Sequence, residues 1–133
     1  MRRLLILPVL LATVASADAN ECLNGSGDIL RLSSWSAEPV DDHSTAVTLT
    51  YENVTQKGIE IVNATAWFYD ALDNGIGGIP LDSDPQLEPA GSITVKRKML
   101  GFQRVLKVKP ENISAVICTD AVLYDDGTRE TFN

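Results

Sequence analysis

Apolar and polar side chains alternate at every second position in the clearest of several strand-like runs, the period of a strand with one buried face. In residues 45–51, Val47, Leu49 and Tyr51 alternate with Thr48 and Thr50. Residues 59–69 place Val62, Ala64, Ala66 and Phe68 on one side and Ile61, Asn63, Thr65, Trp67 and Tyr69 on the other. Both sides hold large apolar groups, so this strand is expected at the centre of a sheet with both faces covered. Runs rich in β-branched or aromatic residues at 28–34, 92–99, 103–108 and 113–124 predict further strands. The tetrad Asp125-Asp126-Gly127-Thr128 tolerates positive φ and is expected to turn the chain into a short last strand at 129–132.

Turn-forming residues at 52–58, 74–91 and Pro110-Glu111-Asn112 separate these runs, and no segment carries an apolar stripe of helical period over several turns. The expected fold class is therefore all-β: an antiparallel, immunoglobulin-like β-sandwich of about seven strands. A true immunoglobulin domain does not fit. Cys22 has no room for a strand before it, and Val116 stands two positions before Cys118 where a tyrosine corner needs Tyr.

The first nineteen residues follow a different pattern. Arg2 and Arg3 precede an apolar run over residues 4–14, and Ala17-Asp18-Ala19 offers the small side chains of a processing site, so residues 1–19 are expected to be a cleaved signal peptide and residues 20–133 a single domain. The run is shorter than the ~20 residues needed to cross a bilayer, and Pro8 interrupts it, so no transmembrane segment is expected in the mature chain. Localisation is expected to be periplasmic or secreted.

Processing would remove Arg2, Arg3 and Asp18 from eleven basic and eighteen acidic residues, leaving nine and seventeen and a net charge of −8. Such a balance disfavours phosphate backbones, and no nucleic acid partner is expected. Cys22 and Cys118 are the two cysteines of an exported domain, and are expected to form a structural disulfide.

Ala66-Trp67-Phe68-Tyr69-Asp70, followed by the turn Asn74-Gly75 and then Leu87-Glu88-Pro89-Ala90-Gly91 before a new strand, resembles the FxLyD-type domains of bacterial exported proteins over roughly residues 28–124. Ala66 stands where that pattern has its first Phe, Phe68 where it has Leu, and Ala90 splits its Pro-Gly pair. The resemblance implies a small immunoglobulin-like sandwich from a bacterial envelope and brings no catalytic residues with it.

Four groups of residues carry candidate chemistry. Lys96, Arg97, Lys98, Arg104, Lys107 and Lys109 gather six of the nine mature cations on two predicted strands; paired as a hairpin around Leu100-Gly101 they would offer Lys96, Lys98, Arg104, Lys107 and Lys109 to an anionic surface component or an envelope protein. The plainer account is cross-strand pairing with acids and protection of a sheet edge. Asp70, Asp73, Asp82, Asp84 and Glu88 lie in one long connection, where Asp82 and Asp84 could supply two of calcium's six to eight oxygens, but Ile76, Ile79, Pro80 and Leu81 break any calcium-loop register and a solvated crossover explains them as well.

Asp42, His43 and Ser44 contain the elements of a nucleophilic triad, yet consecutive strand residues point apart, and an exposed turn is the better account. Trp35, Trp67 and Phe102 would make an aromatic platform if exposed and core anchors if not. Four Asn-x-Ser/Thr triplets, at Asn24, Asn53, Asn63 and Asn112, would matter only in a eukaryotic secretory pathway, and no glycan is expected. No cofactor is implied. The function expected from these residues is that of a non-enzymatic interaction or structural module of the envelope, the alternative being a ligand- or calcium-binding module built on residues 70–88.

Overall fold

The alternation read from the sequence closes into two antiparallel sheets in a computed structural model, which describes residues 22–132. Seven strands form: β1 (Leu30–Pro39), β2 (Ser44–Asn53), β3 (Ile59–Asp70), β4 (Gly75–Pro80), β5 (Ser92–Leu100), β6 (Ile113–Tyr124) and β7 (Arg129–Thr131). One sheet has the order β1-β2-β5 and the other β4-β3-β6-β7. This is an immunoglobulin-like connectivity in which the fourth strand joins the third instead of the first sheet. The proposed leader, residues 1–19, lies outside the described residues.

The period-two faces of β2 and β3 make the core. Val47, Leu49 and Tyr51 of one sheet are buried against Val62, Ala66 and Phe68 of the other, and Ile117 and Val122 of β6 complete the layer. Phe68 sits at the middle, edge-on to Trp35 at 5.2 Å between ring centroids and to Phe102 at 5.6 Å. Such T-shaped contacts place the positive edge of one ring on the negative face of the next.

Two expected elements differ. Residues 103–108 form no strand: Arg104–Lys107 is a single helical turn, α1, followed by a 3-10 turn at Pro110–Asn112. The chain must leave β5 in one sheet and enter β6 in the other, so it cannot stay in a ladder there; Gly101, at φ +73°, makes the departure, and Phe102 and Val105 are buried as it crosses. Within the expected loop 74–91 a strand does form. β4 pairs with β3 through Gly77 and Gly78, and these glycines leave room for a ring on each face: a Cβ at Gly77 would come within 2.5 Å of Phe102, and one at Gly78 within 2.6 Å of Trp67.

The rest of that connection is also held down. Leu81 N–H donates to Ala64 O, Val62 N–H to Ser83 O, and Ile59 and Leu87 exchange two bonds of 2.8 and 3.1 Å. Leu81, Pro85 and Leu87 are buried while Asp82, Asp84 and Gln86 face water, so residues 81–87 run along β3 as an anchored strap.

The two sulfurs form a disulfide, Cys22–Cys118, with Cα atoms 5.6 Å apart. It ties the segment before β1 to β6 within one sheet, where an antibody domain links two sheets. Ser26 and Thr119 then exchange backbone bonds of 2.8 and 2.9 Å just beyond it.

Candidate functional site

The two outer faces of the sandwich differ in chemistry, and that difference identifies the site. On the three-stranded sheet the outward residues are polar, and several pair with one another. Thr50 and Thr94 hydroxyls lie 2.8 Å apart, Arg31 bridges Glu52 at 2.7 Å, and Lys96 bridges Glu38 at 3.3 Å.

The outer face of the four-stranded sheet sets large apolar groups among its polar ones. β3 turns Ile61, Asn63, Thr65, Trp67 and Tyr69 outward, and β6 sets Leu123 opposite Ile61 and Val116 opposite Trp67. The face expected to be covered is therefore open: Ile61 is 42% and Trp67 41% exposed. β3 is central within its sheet, as its composition implied, but among the described residues no layer lies over its second face. The apolar residues there are long cross-strand neighbours that shield one another partially, which is why they read as a core strand in sequence.

The disulfide adds a wall to this face. It holds Leu23 and Asn24 over β6, and with Thr65, Trp67, Tyr69 and Asp120 they line an open hollow of about 420 Å³. Leu23 is 89% exposed at its rim. Trp67 lies on the bare backbone of Gly78, so its ring is seated without a side chain beneath it. The sum is a rigid indole, a phenol and aliphatic groups on a flat sheet, with Asp120 on the margin.

The other candidate residues are dispersed. The hairpin expected between 92–99 and 103–108 does not form, because β5 pairs with β2 and the second segment is helical. Lys96 and Lys98 stand on the outer face of the polar sheet, and Lys107 and Lys109 are exposed near α1. Arg104 turns to Asp70 at 2.9 Å, and Arg97 donates to Pro80 O across the sandwich edge at 2.9 Å. Asp70 is not available as an ion ligand: Oδ1 accepts the Leu72 and Asn74 N–H groups at 2.9 Å each and Oδ2 takes Arg104. These donors hold its carboxyl down at about 2, the Asn74 N–H foremost. Asp82 and Asp84 are both exposed on the strap, and among the described residues no three His, Cys, Asp or Glu side chains group to hold a metal ion.

His43 is exposed and Ser44 buried, so the two do not meet as base and nucleophile; Asp41 takes the His43 N–H at 2.8 Å and serves the turn. Of the three aromatics, Trp35 and Phe102 belong to the core and Trp67 alone stands on an outer face. Asn53 is fully buried, with its amide donating to Lys57 O and Leu87 O and accepting from Thr55, so it organises the β2–β3 crossing. No protein-family model, no curated protein and no solved structure matches this chain.

Proposed function

We propose that the protein is a non-enzymatic contact module of the bacterial envelope, exported by its amino-terminal leader, that holds an envelope partner against the outer face of its four-stranded sheet. The observation that carries this reading is the exposed Trp67 on a sheet face set with large apolar groups, whose counterpart on the other sheet is polar and partly self-paired. Tryptophan and tyrosine lose little side-chain freedom on association and recur as anchors of protein interfaces. The resemblance to FxLyD-type domains points to the same compartment, and an acidic sandwich with a disulfide suits an oxidising one.

The test is capture of partners from a detergent-solubilised envelope fraction with the immobilised mature protein. Trp67→Ala is expected to weaken capture at least tenfold, the size of a modest interface anchor. Lys96→Glu combined with Lys98→Glu, on the opposite face, should leave it unchanged. Capture that survives Trp67→Ala and fails with the charge reversal would move the contact surface to the lysines.

A further inference from the structure

β6, one of two twelve-residue strands in the four-stranded sheet, is paired along only part of its outer edge. β7 pairs with Ala121, Val122 and Leu123, Phe132 N–H donates to Asp120 O, and Ser26 pairs with Thr119. Beside Ile113, Ala115 and Ile117, whose backbone groups face that edge, no strand lies among the described residues. Residues 113–117 form one wall of an open groove of about 920 Å³ that Cys22, residues 25–28 and the start of β1 at Leu30, Arg31 and Leu32 also line.

Antiparallel pairing fixes which backbone groups face that groove. Thr119 directs both its N–H and C=O outward to Ser26, so by alternation Ile117, Ala115 and Ile113 also face outward, away from β3. One of their six groups is hydrogen-bonded and a second is covered. Ile113 N–H donates to Pro110 O in the 3-10 turn, and the Ile117 carbonyl lies beneath Cys22 Sγ at 3.8 Å. Among the described residues, Ile113 C=O, Ala115 N–H and C=O, and Ile117 N–H have no partner toward the groove.

This set is self-complementary. When Ala115 is set opposite Ala115 of a second copy about a two-fold axis, the two residues exchange both bonds, and each Ile117 N–H meets the Ile113 C=O of the other copy. The ladder makes four hydrogen bonds and leaves out Ile113 N–H, which the turn holds, and Ile117 C=O, which the disulfide covers without donating to it.

The edge itself also lacks the usual defences. β1 is bulged between Leu32 and Ser34 and ends on Pro39, β4 carries glycines and Pro80, β5 carries Lys96, Arg97 and Lys98, and β7 has three residues. Residues 113–117 hold no charge, proline, glycine or bulge. No like charges meet across the two-fold in this stretch.

We infer that the protein pairs with a second copy of itself through residues 113–117 of β6, joining two four-stranded sheets into one. The two-fold axis is then perpendicular to the sheet, and both Trp67 faces look the same way. The pairing is independent of any partner on that face.

Sedimentation equilibrium of the oxidised mature protein up to about 1 mM, a range that reads even weak association, should show mass doubling with concentration. Ala115→Pro removes an outward N–H and no bond to β3, a position that tolerates proline on an edge, and should raise the dissociation constant at least tenfold with an unchanged circular dichroism spectrum. Independently of that variant, exchange of the Ala115 and Ile117 amide hydrogens in the natural sequence should slow as concentration rises. A constant monomer mass, a dimer indifferent to Ala115→Pro, or Ala115 exchange that does not change with concentration would each overturn the inference. Ala115 protected equally at all dilutions would assign the groove to residues of the same chain, and would overturn it too.

Discussion

Asp70 shows how one side chain joins three parts of the molecule. It ends β3, accepts the backbone N–H groups that turn the chain into β4, and meets Arg104 from α1. A carboxylate so held has a folded pKa of about 2 against an ordinary value of 3.8. Its stabilising effect is therefore complete above the ordinary value and is lost as pH falls toward 2. Asp126 behaves alike, at about 2, because Thr128 donates twice to it and Lys57 stands 3.1 Å away. Urea unfolding of Asp70→Asn should give a lower midpoint than the natural sequence at pH 7, and the gap should close between pH 4 and pH 2, where the natural carboxyl becomes neutral as well.

At the level of elements, the strands with strict alternation were legible and those shaped by their neighbours were not. β2 and β3 declare their buried faces through Val47-x-Leu49-x-Tyr51 and Val62-x-Ala64-x-Ala66-x-Phe68. β4 is hidden because its sequence, Gly75–Pro80, has the composition of a loop. Its glycines are chosen for space: Phe102 fills the inner side of Gly77 and Trp67 the outer side of Gly78, and both rings come from distant sequence. The crossing conceals α1, where Val105 and the following Val108 favour a strand until the change of sheet forbids one. The open face of β3 was misread as covered, since exposure depends on a missing layer and not on the strand's own residues. Gly77→Ala should destabilise the fold by about 1–3 kcal/mol, the cost of overpacking against a buried ring. Gly78→Ala should cost less, because Trp67 can lift toward water, and should change its fluorescence; equal costs for the two would contradict this placing of the rings.

For the whole molecule, the sequence carried the fold class and the disulfide, while the site emerged only when two faces could be compared. The lysines and arginines gathered in sequence between 96 and 109 are spread in space by the crossing from one sheet to the other. The disulfide spans 96 positions of sequence, and closing a loop of that length removes unfolded-chain entropy worth up to about 4.7 kcal/mol. Reduction, or Cys22→Ser with Cys118→Ser, should lower the unfolding free energy by a large part of that amount in urea titration; a loss below about 1 kcal/mol would show that strain or residual structure offsets it. Reduction should also release Leu23 and weaken capture through the Trp67 face.

The cross-link has a mechanical consequence. A pull applied between Cys22 and the strand β7 passes through sulfur straight to Cys118 and along the end of β6, because residues 23–117 lie within the covalent ring it closes. β1 to β5 bear no load on that route. Under tension the oxidised domain can pay out only the short length of chain after Cys118, whereas the reduced one can unravel from its amino end through every strand. Pulled between its two ends, the oxidised domain is thereby fitted to resist extension, and that resistance is set by the redox state of a single bond.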